Sequence, residues 1–205
     1  MSEKEWYRLL LEDTYTTEMI GEERERKYIP CRVERASPAA DWESCWRLAR
    51  LSGLGPENTT FLFKLIHQIL PTQERISRTK PNSSPNCKGQ GCEGEVESNE
   101  HALISCQANN GAGTKLLEFL QSLIPGLEVD KLLRLELVVE QDLELPVVWF
   151  ISTVFNTMWD QRLTNKKVEL YLVRAQLEAK INLLRETRFN NSVPRLDEFT
   201  AAMFS

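Results

Sequence analysis

Three cysteines and a histidine, spaced Cys87-x4-Cys92-x8-His101-x4-Cys106, constrain this chain more than any other feature. They sit in the stretch 80–113, where Pro81, Pro85, Gly89, Gly91, Gly94 and five asparagines leave little room for regular structure before Ser98. Three thiolates and an imidazole satisfy a tetrahedral Zn2+ without an open coordination position, and a closed set of that kind is structural rather than catalytic. The loop Lys88-Gly89-Gln90-Gly91 fits the role. Its glycines let the chain wrap tightly and turn amide donors toward the sulfurs. Ser98 is a suitable N-cap for a helix carrying His101 in its first turn. His101 and Cys106 are five residues apart, about 140° on a regular helix. The helix must therefore end or unwind just before Cys106 if both are to hold one ion.

The five cysteines are an odd number, and three of them crowd around one of only two histidines. That arrangement points to a metal in a reducing compartment rather than to a disulfide framework. The competing reading is three free, partly buried thiols. Cys31 and Cys45 read as small apolar side chains, and His67, among apolar neighbours, as a core or boundary histidine.

The rest of the chain is patterned for helices, so the expected fold is mainly α: a helical domain with an inserted CCHC zinc knuckle and an irregular loop. A first helix is expected over 3–27, and Pro30 with Ala36-Ser37-Pro38 forms a connector. Asp41 caps a helix bearing Trp42, Cys45, Trp46, Leu48, Ala49 and Leu51. Asn58 is placed to cap the next, Thr59 to Leu70, whose apolar face is Phe61, Leu62, Leu65, Ile66 and Ile69. Thr72 starts a short turn through Arg78. Thr114 to Leu123 is helical up to Pro125-Gly126, whereas 130–139 would tolerate a strand, with helix the better fit over 131–135. Two long helices follow, about 146–163 and about 166–188, and Pro194 closes the ordered core with a further turn or two over 196–204. Three segments result: 1–37, 41–110 around the metal ligands, and 111–205.

Within 41–110 the run Phe61-Leu62-Phe63-Lys64-Leu65-Ile66-His67-Gln68-Ile69-Leu70-Pro71-Thr72, then Cys87 and Cys92, then Glu100-His101-Ala102-Leu103-Ile104-Ser105-Cys106, resembles a known region. It is similar to the zinc-binding region downstream of the polymerase in non-LTR retrotransposon reverse transcriptases. That region has an aromatic-rich helix ending in Leu-Pro-Thr, a Cys-x2-Cys pair and a Glu-x-x-His-x4-Cys segment. Leu70-Pro71-Thr72 and His101-x4-Cys106 match it. The Cys87–Cys92 loop is longer, and Ser98 stands where the glutamate would be. The resemblance implies an accessory module that helps bind element RNA or target DNA, or that docks on the polymerase body of the same element.

Nothing in the chain suggests catalysis. A polymerase needs paired aspartates for two metal ions, and no Asp-Asp pair occurs. A phosphate-cradling glycine loop, a Gly-x-Ser-x-Gly elbow and a His-Glu-x-x-His helix are also missing. The expectation is a non-enzyme with no small-molecule substrate. Glu93, Glu95, Glu97 and Glu100 read as a solvated acidic surface on the knuckle. With a net charge of −5, nucleic-acid contact requires a local basic patch, and the candidates are Arg162, Lys166, Lys167, Arg174, Lys180, Arg185 and Arg188. An ordinary solvated helix face is the competing reading of that set. No signal peptide is visible behind Met1, and the uncharged stretch Leu145 to Trp159 is too short to span a membrane. An intracellular location, cytoplasmic or nuclear, is expected.

Overall fold

The computed structural model describes residues 34, 36–80, 82–164, 167–185 and 193–204. Residues 34 and 36–40 fall in one compact unit, Met1–Ala40, and the chain from Asp41 to Ser205 in another. The helix expected over 3–27 and Cys31 lie outside the described residues. The second unit is mainly α-helical, with a CCHC cluster set among its loops. Among the described residues there is no strand, only an isolated antiparallel bridge between Asn86 and Val96.

Local chemistry explains where the helices begin. Helix α1 (Trp42–Ala49) starts at Asp41, whose carboxylate accepts the Ser44 amide at 3.1 Å, which satisfies an otherwise orphaned donor. Helix α2 (Gly55–Ile66) begins earlier than expected. Gly55 and Pro56 open it, since proline is favoured in a first turn where its missing N–H costs nothing. Asn58 is therefore not a cap. It is buried inside the helix and donates to Thr153 Oγ1 at 3.1 Å. The helix also stops at Ile66 rather than Leu70, with Gln68 in the left-handed region at φ 55°. Helix α3 (Gln73–Thr79) is capped by Thr72, as its position predicted.

Helix α4 (Ala112–Leu123) ends before Pro125-Gly126, and α5 (Val129–Arg134) settles the ambiguous segment as helix, closed by Leu135 at φ 56°. Helix α6 (Gln141–Leu163) runs through Pro146 instead of starting there. The proline lies just beyond the first turn, so only one i→i−4 bond is forgone. Helix α7 (Leu170–Arg185) starts later than expected. The backbone before it is held elsewhere: the Val168 amide donates to the Ala108 carbonyl, and Asn110 Nδ2 donates to the Val168 carbonyl. Helix α8 (Val193–Met203) contains Pro194 in its first turn, so that residue opens a helix rather than ending the core.

The core is built around α6. From Pro146 to Trp159 almost every side chain on it is buried, polar Ser152, Thr153 and Thr157 included. A helix apolar on all sides must be enclosed on all sides, and α1, α2, α4, α7, α8 and the segment His101–Ser105 all pack against it. Phe119 of α4, Phe150 of α6 and Phe199 of α8 meet edge to face, with ring centroids 5.4–5.7 Å apart. Full burial of each such side chain is worth roughly 1.5–3 kcal/mol. Arg47 of α1 forks onto Glu144 of α6 with two bonds of 2.6 Å. No helix among the described residues is long and apolar enough to cross a membrane.

Candidate metal centre

The knuckle is assembled from two short pieces of backbone. In the first, the Cys87 amide donates to the Glu95 carbonyl and the Glu97 amide to the Pro85 carbonyl, so 85–87 and 95–97 run side by side. The intervening loop is pulled tight by Cys92 N–H to the Gly89 carbonyl. Gly89 cannot be replaced cheaply. A Cβ there would meet the Ala108 Cβ at 2.9 Å and the sulfurs of Cys87 and Cys106 at 3.2 and 3.3 Å. Its amide, 3.2 Å from Cys87 Sγ, is the donor to sulfur that the loop's composition suggested.

The second piece solves the problem of five-residue spacing. Ser98 Oγ accepts the His101 amide at 3.1 Å, as an N-cap should. From His101 to Ser105 the chain then forms a π turn, closed by the Cys106 amide on the His101 carbonyl at 2.8 Å. Bonding i to i+5 swings residue 106 back over residue 101, which a regular helix would not do. Such single π turns are rare and recur at functional sites. Packing holds this one in place: a Cβ on Gly113, in the first turn of α4, would lie 2.0 Å from the Leu103 carbonyl oxygen. Asn109 adds a bond from its side-chain amide to the Ala102 carbonyl.

Together these pieces bring the four expected ligands into one cluster. One donor atom from each of Cys87, Cys92, His101 and Cys106 lies within 4.8 Å of the others, and all four residues are inward-facing. The Cys106 sulfur is 3.8 Å from that of Cys87 and 3.6 Å from that of Cys92. A tetrahedron with Zn–S bonds of about 2.3 Å has edges of about 3.8 Å, so these two sulfur–sulfur distances match the spacing that Zn2+ requires. The histidine fits as well. Its Nε2 is buried and has no hydrogen-bond partner among the described residues, whereas Nδ1 faces Glu95 at 3.6 Å and Ser105 Oγ at 3.5 Å. A ligating imidazole usually binds metal through one nitrogen and gives the other to a carboxylate. Burial, with the Arg162 charge adding to it, lowers the His101 pKa and favours the neutral ring a metal ligand needs. Within the same cluster, burial pushes the Cys87 thiol up to about 12. At Cys106 burial is the largest single influence and pulls the same way, but the hydrogen bond and charge of Arg162, with hydrogen bonds from Cys92 and the Ala108 amide, together outweigh it and hold the thiol below its ordinary value.

Arg162 is the feature that sequence reasoning misplaced. Expected among the surface cations, it turns inward from the last turn of α6, with its side chain 14% exposed. One guanidinium nitrogen donates to Cys106 Sγ at 3.0 Å; the other donates to Cys87 Sγ at 3.0 Å and to Glu97 at 2.6 Å. A Zn2+ held by three thiolates and a neutral imidazole carries one net negative charge, and this guanidinium balances it. Glu97 is the second correction. Glu93, Glu95 and Glu100 are exposed as expected, but Glu97 is 5% exposed, bound to Arg162 and also accepting the Gln73 amide at the start of α3. The knuckle is thereby tied to both α6 and α3. Alternation in an extended segment would turn apolar Val96 inward and Glu97 outward, the reverse of what is found, and nothing at a separation of 56 residues pointed from Arg162 to Cys106.

The other basic candidates remain apart from the cluster. Lys166 and Arg188 lie outside the described residues. Lys167, Arg174 and Arg185 are exposed and Lys180 is half-buried. Arg174 pairs with Glu178 on the same helix, and Arg185 with Asp197 on α8. Cys45 is fully buried, and burial raises its thiol to about 11. His67 is half-buried between Trp46 and Phe63. Comparison of the chain with protein-family models, with curated proteins and with solved structures finds no match.

Proposed function

We propose that this chain is a non-catalytic accessory module of a reverse-transcriptase-type retroelement, braced by zinc and assisting RNA or DNA binding. The observation that carries the structural half is the closed ligand set Cys87, Cys92, His101 and Cys106, with Arg162 tying two of its sulfurs to the central helix. Four protein ligands leave no position for substrate, which supports reading the ion as a brace. In that role it fixes the irregular stretch 82–110 against α3, α6 and residues 167–169 before α7. The resemblance of Phe61–Thr72 and His101–Cys106 to the region downstream of a retroelement polymerase supports the nucleic-acid half, as does the exposed cation Lys167, which lines a cleft beside the knuckle loop.

The test is direct. The full zinc-loaded chain is titrated with a fluorescent single-stranded RNA at two salt concentrations. Binding at low salt that weakens with added salt is expected, because phosphate contacts release counterions. Undetectable binding at low salt would refute the nucleic-acid reading and leave a zinc-stabilised protein-interaction module. Exposed Leu163, Tyr171 and Leu183 on α6 and α7 favour that second reading.

A further inference from the structure

A cleft of about 400 Å³ lies between the knuckle loop, the start of α3 and the junction of α6 and α7. The exposed carboxylates Glu93, Glu95 and Glu100 do not line it. Lys88 stands on its knuckle wall and Lys167 on the wall formed by the connection into α7, and both are exposed. Among the described residues, Glu97 is the one carboxylate lining this cleft, and it is already bonded to Arg162. A zinc-loaded cluster contributes one negative charge and Glu97 another; Arg162, Lys88 and Lys167 contribute three positive ones. The cleft is thus locally cationic on a chain whose net charge is −5.

Its other walls suit a nucleotide. Gln73 and Gln90 bring amides that both donate and accept, as a base edge requires. Trp159 and Leu163 supply an apolar floor, and Leu163 is 60% exposed at its edge. The volume falls at the lower end of the range of about 300–1,000 Å³ typical of small-ligand pockets. A second hollow of about 560 Å³ shares Pro71, Trp159 and Leu163 with it, and its charged lining is Lys64 with Glu57 and Asp160.

We infer that this cleft is where a single-stranded nucleic acid seats one nucleotide, its phosphate between Lys88 and Lys167 and its base against Leu163. The inference rests on the function proposed above and sharpens it: the contact lies on the cleft side of the knuckle rather than along α7. Lys88 and Lys167 come from distant parts of the sequence, and Val168, next to Lys167, is held by its amide on the Ala108 carbonyl and by Asn110 Nδ2, which donates to the Val168 carbonyl.

The experiment uses the full zinc-loaded chain and a fluorescent twelve-residue oligouridine, followed by anisotropy across a salt series. For K88Q/K167Q the expected result is at least a tenfold loss of affinity at low salt. The salt slope should fall by about 1.4, two contacts at about 0.7 each for a single strand. K88R/K167R should keep both within about threefold, since arginine retains the charge, and so should R174Q/K180Q/R185Q on α7. Lysine acetylation of the unaltered chain, read by mass spectrometry, should show Lys88 and Lys167 protected by the bound strand. Uridine monophosphate and inorganic phosphate should compete only weakly. An unchanged affinity and slope for K88Q/K167Q, equal labelling with and without RNA, or greater damage from the α7 triple variant overturns the cleft and leaves RNA binding intact. Displacement by uridine monophosphate as efficient as by the strand overturns the polymer assignment. A wild-type chain that binds no RNA overturns the cleft and the proposed function together.

Discussion

Replacing Arg162 by methionine tests whether the knuckle is bolted to the helical core through one guanidinium. The substitution keeps an unbranched apolar stem of similar reach, so packing around the end of α6 is largely retained. Three charge-assisted bonds of 2.6–3.0 Å are lost. Glu97, 5% exposed, is left with the Gln73 amide as its remaining side-chain partner among the described residues. Removing one member of a buried ion pair typically costs about 3–5 kcal/mol, most of it the penalty of stranding the other charge. Urea unfolding of the zinc-loaded chain should therefore lose about 3 kcal/mol or more in R162M. Zinc affinity, measured by competition with a chromophoric chelator, should fall about 10- to 100-fold, the range for loss of an outer-shell partner. E97Q removes the stranded charge, so R162M/E97Q should be less destabilised than the sum of the single variants, with a coupling of about 1–3 kcal/mol. A loss under about 1 kcal/mol in R162M with unchanged zinc affinity would refute the reasoning. So would strict additivity in the double variant.

The remaining expectations address the cluster, its packing and a distant ion pair. C87S and H101A should each lose the bound Zn2+ seen by native mass spectrometry in the wild type, and a strong chelator should lower the wild-type melting temperature, because binding energy at a structural site is folding energy. A chelator that strips the metal without moving the melt would count against the brace. G113A should destabilise by about 3 kcal/mol or more, since its Cβ meets backbone that cannot swing aside; G94A, at a position open within 4 Å, should be milder, its cost arising from φ +86° alone. Equal melts for the two would show that α4 does not clamp the π turn. Hydrogen bonding from Arg47 holds the Glu144 carboxyl below its ordinary value. A depressed carboxylate contributes stability above its unfolded value of about 4.3, and that contribution disappears as pH falls through the folded value. Wild type should therefore lead E144Q at about pH 6, and the lead should close below about pH 4; a gap constant with pH would exclude the pair as its source.

What the sequence determined by itself was local. Asp41 and Thr72 announced helix starts because an N-cap is a contact between neighbours in the chain. The four metal ligands were legible because zinc demands particular donors within a short span, and the need for the helix to deform between His101 and Cys106 followed from its pitch. Tertiary structure decided the rest. Whether the segment unwound, stopped or formed a π turn depended on α4 pressing Gly113 against Leu103 and Ile104. Pro146 and Pro194 misled because a proline's effect depends on its place in a helix, and that place was set by what the flanking residues packed against. Arg162 shows the limit most clearly. Its charge suggested a surface, and its position in α6 gave no sign of the sulfurs 56 and 75 residues away. Only folding placed three sulfurs and Glu97 at the end of that helix, and with a zinc ion held by three thiolates there a cation would be more stable facing inward than outward.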